Sequence, residues 1–300
     1  MAPDEGIAPW SAGKGPPATP VPPGATDCHF HVYDARVPSR AGTPHHPDAL
    51  EADYLALRRR LGLSRGVLVQ PSAYGTDNDR HLRAMEVLGR DRTRMVAVVR
   101  PEVPEAELRR LDAAGVRGVR FNLTMPGPLT VDAVEPLAQR IAALGWHVQL
   151  NASEAQLVAL EPVLAGLPCR LVLDHLGQVP QPAGLESAAF GTIRRLLDRG
   201  RTWVKISGPY IRSRSGPPSY ADAGFVAAAL ARAAPERLLW GSDWPHPTKS
   251  ADDKPDDAAL LDIAMAWVVS ASTWQRILVV NPNEVYGFSE WGPDIRTRTR

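Results

Sequence analysis

Short β-rich runs alternate along the chain with longer stretches of helical period. The runs that read as strands are "ATDCHFHVY", "RGVLVQ", "RMVAVV", "RGVRFN", "WHVQLN", "RLVLDH", "TWVKIS" and "RLLWGSD". Several are almost continuously apolar, the pattern of a parallel strand covered on both faces. Between them apolar residues recur every three or four positions, as at Val131, Val134, Leu137, Ile141 and Leu144. Ser153 and Gln156 stand in capping-box spacing ahead of Leu157, Leu160 and Leu164. "DNDRHLRAMEVLGR" and "EAELRRLDAAG" fit the same helical scheme. Eight strands, each followed by a helix, predict an α/β fold, a distorted (β/α)8 TIM barrel. An open doubly wound sheet would want a Gly-rich phosphate loop after the first strand, and "HVYDARVPSR" is not one.

Length and composition narrow this little further. The 300 residues suit one large domain, and the formal net charge of +1 gives no basic face for nucleic acid. The expected layout is an extended N-terminal arm over residues 1–25, a catalytic barrel over 26–290 and a C-terminal tail over 291–300. The Pro- and Gly-rich arm reads most simply as disordered, with packing across the barrel as the rarer reading. Cys28 and Cys169 do not make a disulfide framework. No apolar run approaches a membrane span, and the N-terminus lacks a basic-then-apolar signal. The expectation is a cytoplasmic protein, a monomer or small homo-oligomer.

Polar residues gather where the strands end, which in a barrel is where chemistry sits. The first strand offers His29 and His31, the second Gln70 followed by Ser72 and Tyr74, and the fourth Arg120 and Asn122. The fifth offers Gln149 and Asn151, and the sixth Asp174 and His175. The seventh offers Lys205 and Ser207, then Tyr210, Arg212 and Arg214, and the eighth Asp243, then His246. Strand period two puts His29 and His31 on one face, with Cys28 and Phe30 packing on the other. A His-x-His pair alone is weak evidence of a site. Joined by His175 and Asp243 at two other strand ends, it becomes four groups converging on one spot.

The segments "TDCHFHV", "GVRFN", "LVLDHLG", "WVKISGPY", "LLWGSDWPHP" and "NPNEVYGF" resemble the amidohydrolase superfamily, in the family's order, from about Thr26 to Phe288. More narrowly they resemble the branch containing 2-pyrone-4,6-dicarboxylate lactonase, 4-sulfomuconolactone hydrolase and sugar lactonases. The resemblance implies a deformed barrel with His29, His31, His175 and Asp243 in the active site. Two-metal members add a bridging Lys or Glu on the fourth strand and a His on the fifth. Here those strand ends carry Arg120, Asn122, Gln149 and Asn151, and His147 lies at its strand's start. The bridging site of the two-metal members is therefore absent, and the resemblance to the lactonase branch, whose members can work without metal, implies that no metal cofactor is required. A single zinc on His29, His31, His175 and Asp243 is the alternative, since three imidazoles and a carboxylate suit that ion.

The function this implies is hydrolysis of a small anionic lactone, with no nucleic-acid or membrane partner. Asp243 is expected to act as the base for water, and His29, His31 and His175 to donate to the carbonyl oxygen. Arg120 and Arg212 read as carboxylate clamps, with Arg214 a rival to Arg212. Ser72, Tyr74 and His246 are second-rank candidates for substrate binding. The runner-up is a zinc-dependent decarboxylase or hydrolase of the same superfamily.

Overall fold

The structure, a computed structural model, describes residues 7–268 and 270–289. The expected C-terminal tail lies outside the described residues. The strands are β1 (Thr26–Phe30), β2 (Arg65–Val69), β3 (Thr93–Ala97), β4 (Val116–Asn122), β5 (His147–Asn151), β6 (Arg170–Leu173), β7 (Thr202–Ile206) and β8 (Leu238–Trp240). Each pairs in parallel with the next, in the order β1 to β8. The intervening helices are α1 (Glu51–Arg60), α2 (Asp79–Leu88), α3 (Glu105–Ala113), α4 (Val134–Ala142), α5 (Glu154–Gly166), α6 (Ala188–Asp198), α7 (Ala221–Ala233) and α8 (Asp257–Val268). The result is the (β/α)8 barrel that the alternation predicts. At α5 the capping box forms as its spacing implies: Ser153 N–H donates to Gln156 Oε1 at 2.9 Å. Among the described residues no helix is long and apolar enough to cross a membrane.

The seam between β8 and β1 closes with irregular backbone. Asp243 N–H donates to His29 O at 2.8 Å, and His31 N–H donates to Trp244 O at 2.8 Å. These two bonds couple the end of β8 directly to the His-x-His segment. Gly241 makes the approach feasible, because a Cβ there would stand 2.6 Å from His29 Cβ.

Strict alternation fails on β1. The β1–β2 register shifts between Asp27 and Phe30, as at a bulge. Cys28 consequently packs inside the barrel with Val67, Val69, Val96, Val172 and Leu239, whereas Phe30 joins the outer core. The expectation that Cys28 and Phe30 share a face is thus corrected, although both are fully buried packing residues. The C-terminal helix Asn281–Tyr286 plugs the lower end of the barrel. Its Tyr286 belongs to the inner cluster and meets the His147 ring edge-on.

The described part of the N-terminal arm is packed. Ala8 is buried, and Trp244 Nε1–H donates to Pro9 O at 2.8 Å. Further on, Arg60 of α1 donates to Gly15 O at 2.8 Å, and Ala18 and Thr19 N–H groups donate to the Asp262 carboxylate of α8 at 2.9 and 2.7 Å. The arm therefore straps α1 and α8 across the β8/β1 seam. The buried ends at Ala8 and Ala25 and the backbone bonds to Pro255 O, Ser64 Oγ and the Asp262 carboxylate tie this Pro-rich stretch down.

Gly241→Ala forces β8 away from His29. Such overpacking costs about 1–3 kcal/mol, to be read as a lower denaturation midpoint with an unchanged slope. A midpoint equal to that of the native chain would mean the seam is looser than these contacts require.

Candidate active site

Polar side chains fill the upper barrel interior around one buried carboxylate. Asp174, at the end of β6, has no solvent exposure. It is met by Lys205 Nζ at 3.3 Å, Arg120 Nε at 3.4 Å, His29 Nδ1 at 3.2 Å and Gln149 Nε2 at 3.1 Å. Burial alone would raise its pKa; Lys205, His29 and Arg120 outweigh that and hold the carboxyl well below the usual range. Burial pulls the Lys205 ammonium below the ordinary lysine value, against the pull of Asp174.

Above this layer the expected foursome converges. His29 Nε2 lies 3.3 Å from His31 Nε2, and both lie 3.7 Å from Asp243 Oδ1. His175 Nε2 is 3.9 Å from the same oxygen. Tyr210 donates its hydroxyl to Asp243 Oδ2 at 2.7 Å, which fixes the carboxylate plane and leaves Oδ1 facing the imidazoles. Burial pushes the Tyr210 phenol well above its ordinary pKa, and Asp243 adds to that. Asp243 and His175 both have positive φ, 61° and 49°. Such strained backbone is tolerated where the surroundings over-determine it, and here it turns two side chains from the strand line into the pocket.

The tautomers decide what the imidazoles can do. His31 Nδ1 faces the Val69 carbonyl at 2.8 Å, so it must carry the proton. Burial first, then His29 and Arg120, holds the His31 pKa well below its ordinary value. His31 is thus neutral, and its Nε2 is a lone pair. This corrects the expectation that His31 donates to a carbonyl oxygen. For His29, whose pKa burial and Lys205 push down to about 3, two proton arrangements are satisfied. In one, Nδ1–H donates to Asp174, and Nε2 presents a second lone pair beside that of His31. Two such lone pairs become favourable neighbours when a cation or a hydrogen-bond donor lies between them. In the other, Lys205 donates to His29 Nδ1 at 3.2 Å, and Nε2–H donates to His31. His175 Nδ1 lies 3.0 Å from Ser207 Oγ, a hydroxyl able to donate or accept, so its Nε2 can serve either arrangement. His29, His175 and Asp243 place one ligand atom each within 4.8 Å of one another. With His31 added, the donor set fits a single divalent cation, each ring oriented by a second partner.

A cavity of about 450 Å³ opens above these groups, within the usual range for small-molecule sites. His31, His175, Asp243, Arg120, Arg212 and Ser72 all line it.

The sequence model of the amidohydrolase family matches residues 26–288. The chain belongs to the amidohydrolase family. It is 35% identical to 2-pyrone-4,6-dicarboxylate hydrolase of Comamonas testosteroni, over 92% of this chain and 94% of that one. It is likewise 35% identical to 4-sulfomuconolactone hydrolase of Rhizobium radiobacter, with 92% and 94% covered. A D-galactarolactone isomerase of Agrobacterium fabrum is 30% identical over 91% of this chain and 94% of that one. Among solved structures, an apo protein of Agrobacterium tumefaciens superposes with TM-score 0.86 at 28% identity, covering 93% and 99% of the two chains. A probable 2-pyrone-4,6-dicarboxylic acid hydrolase of Acinetobacter baumannii, with citric acid bound, gives 0.77 at 28% identity, covering 88% and 100%.

Within this amidohydrolase the remaining candidates separate. Both arginines are exposed, but Arg212 lines the pocket and Arg214 does not, its backbone N–H donating to Asp222. Tyr74 and His246 are not brought to the pocket. The Tyr74 hydroxyl accepts from Asp34 N–H at 2.8 Å and donates to Asp34 O at 3.2 Å. His246 is fully buried between the Tyr210 hydroxyl at 2.9 Å and Asp257 at 3.0 Å. It reaches Asp243 through Tyr210 and through its own backbone N–H, which donates to Asp243 O at 2.7 Å. The residues that sequence reasoning left unassigned are Asp174, Lys205, Gln149 and Tyr210. All but Tyr210 stand at strand ends on the inward face, and a charged residue inside an apolar strand such as "WVKIS" is the signal that marks them.

Stability of this amidohydrolase should fall in acid. Burial, reinforced by Arg80 and by Lys205 respectively, pushes His81 and His147 down to about 3. Their unfolded forms take up protons below about 6.5, so each favours unfolding as pH drops from there toward 3. Asp27 opposes them, since burial raises its pKa to about 6 and its folded form holds a proton first. His29 and His31, held down alike, act in the same sense; with four imidazoles against one carboxyl, a loss of several kcal/mol is expected between pH 6.5 and 4.5, measured by urea unfolding. A flat profile would show that these imidazoles are not held neutral.

Proposed function

We infer that the chain opens a small anionic lactone by adding water across the ring ester bond. The observation that carries this reading is Asp243 Oδ1 facing three imidazole Nε2 atoms at 3.7–3.9 Å on the floor of the pocket. Hydrolases of 2-pyrone-4,6-dicarboxylate and of 4-sulfomuconolactone among the relatives support the reaction class. Citric acid in the Acinetobacter baumannii structure supports an acidic substrate.

Asp243 takes a proton from the attacking water through Oδ1, while Tyr210 holds Oδ2. The hydroxide oxygen bonds to the lactone carbonyl carbon, and negative charge builds on the carbonyl oxygen. His175 is the imidazole able to answer that charge from this chain alone, with Ser207 donating to Nδ1 and Nε2–H turned to the oxygen. Arg120, buried at the pocket floor, contributes fixed positive charge. Collapse breaks the ring C–O bond, and the Asp243 carboxyl returns its proton to the departing oxygen, giving a hydroxy or enol acid. A divalent cation such as zinc, held by His29, His31, His175 and Asp243, would supply Lewis acidity toward the carbonyl and a more acidic water.

Asp243→Asn removes the base while keeping the Tyr210 contact within reach. Turnover of pyrone, muconolactone and aldonolactone carboxylates should fall by at least ~10²-fold, measured as acid release with and without chelator. Full activity in the variant would remove Asp243 from the chemistry.

A further inference from the structure

Tyr33 follows His29 and His31 at the same two-residue spacing, where the chain leaves β1 for the barrel mouth. Its backbone is pinned in both directions: Tyr33 N–H donates to Ala49 O, and Ala49 N–H donates to Tyr33 O, each at 2.9 Å. Its ring packs on the His46 ring with centroids 4.2 Å apart, and stands 6.1 Å from the His31 ring and 6.3 Å from that of Tyr74. These contacts fix the ring without using the hydroxyl. Tyr33 is 3% exposed and lines the pocket with His31, His175, Arg120 and Asp243.

Tyr54, Tyr74 and Tyr210 each spend their hydroxyl on a fixed partner: Asp27, the Asp34 backbone and Asp243. The Tyr33 hydroxyl, by contrast, has no hydrogen-bond partner among the described residues. An unpaired polar group costs free energy, so one kept at a pocket surface is held for what enters the pocket. The Arg120 guanidinium and the Asp243 carboxylate both act on it electrostatically. The proton inventory of the imidazoles leaves room for such a donor. His31 presents only a lone pair, and His29 Nε2 is turned to His31 or to a cation. That leaves His175 as the single imidazole donor toward a carbonyl oxygen, an atom with two lone pairs to satisfy.

We propose that Tyr33 is a further catalytic residue, its phenol O–H donating beside His175 to the lactone carbonyl oxygen as negative charge builds there. The inference rests on the reading of the site as lactone-opening. When the hydroxide oxygen bonds to the carbonyl carbon, the C=O π pair moves onto the oxygen. Tyr33 O–H and His175 Nε2–H each donate to that oxygen and keep their protons. Collapse returns the pair to the carbon and breaks the ring C–O bond. A donor whose ring is clamped before substrate arrives needs no reorganisation during this step, which is where such groups are worth most.

Tyr33→Phe removes one oxygen and keeps the ring contacts; Tyr33→Leu removes the hydroxyl on a different frame, so the inference stays testable if one variant fails to fold. In lactone hydrolysis by the full chain, kcat should fall by about 10²-fold or more, as for loss of one oxyanion donor, with KM little changed. The same chains are titrated with 3-carboxyphenylboronic acid, whose boron takes up hydroxide to become a tetrahedral anion, and with benzene-1,3-dicarboxylate, which stays planar. The ratio of the two affinities, boronate over dicarboxylate, should fall by about tenfold in the variants, as expected for a lost hydrogen bond to a charged group. An unchanged kcat or an unchanged ratio in a folded variant overturns the assignment. So does a raised KM with kcat intact, which would make Tyr33 a binding group alone. A native chain that hydrolyses no lactone, while the ratio still falls in the variants, overturns the lactonase reading and leaves Tyr33 as a donor to a tetrahedral anion. A native chain that neither hydrolyses lactones nor binds the boronate overturns both.

Discussion

The Asp174 carboxylate is the constraint on which the site is built. An anion with no solvent exposure is sustained only by partners that neutralise it and occupy its lone pairs. Arg120 and Gln149 donate to Oδ2, and Lys205 and His29 stand 3.3 and 3.2 Å from Oδ1, each partner from a different strand. Each is thereby fixed in position, and three have a second duty. Arg120 also donates to Gln70 O, Lys205 also donates to Gln149 Oε1, and His29 turns Nε2 toward Asp243. A well-packed apolar layer in its place would be as stable or more so. What the ionic layer gives instead is a set of rings and forks whose orientation does not have to be found when substrate arrives.

The same logic governs the layers above and below. Beneath, Val67, Val69, Val96, Val172 and Leu239 form an ordinary apolar barrel interior, closed by Tyr286. Above, the backbone leaves regular geometry. His175, Gln178, Asp243 and His246 all take positive φ, at 49°, 56°, 61° and 58°. None is a glycine, so each costs of order 1–3 kcal/mol, offset by rigid packing below. The strain lies where strand ends must aim several side chains at one point. A regular strand places neighbouring inward residues about 7 Å apart, too far for His175 and Gln178 to serve both the floor and the wall of the pocket.

Much of this was legible from period and position. Parallel strands buried on both faces announce themselves as apolar runs, and polar groups that interrupt such runs at their C-terminal ends mark the pocket. Their position at strand ends brings His29, His31, His175 and Asp243 to the same end of the barrel, but the left-handed backbone that turns His175 and Asp243 inward is not announced by period. Cys28 was misplaced because a register shift on β1 is a property of the pairing with β2 and leaves no trace in alternation. Tyr74 and His246 sit at pocket-like positions in sequence but are satisfied by Asp34 and Asp257, partners that only the fold brings near. The roles of Lys205 and Asp174 were hidden for the same reason: each is intelligible only against the other.

Proton inventory, rather than proximity, distinguishes what these side chains can do. His31 is as close to Asp243 as His29 is, yet the Val69 carbonyl makes its Nε2 an acceptor under either arrangement. It therefore serves a cation or the His29 proton, and never an oxyanion. His175, slightly farther away, keeps both options because its other nitrogen meets a hydroxyl instead of a carbonyl. Three histidines that look equivalent in a list of residues thus divide into one fixed acceptor, one switched by Asp174 or Lys205, and one free to donate. The division comes entirely from the atom behind each ring, and it is there that changes of mechanism among barrels with this foursome would have to arise.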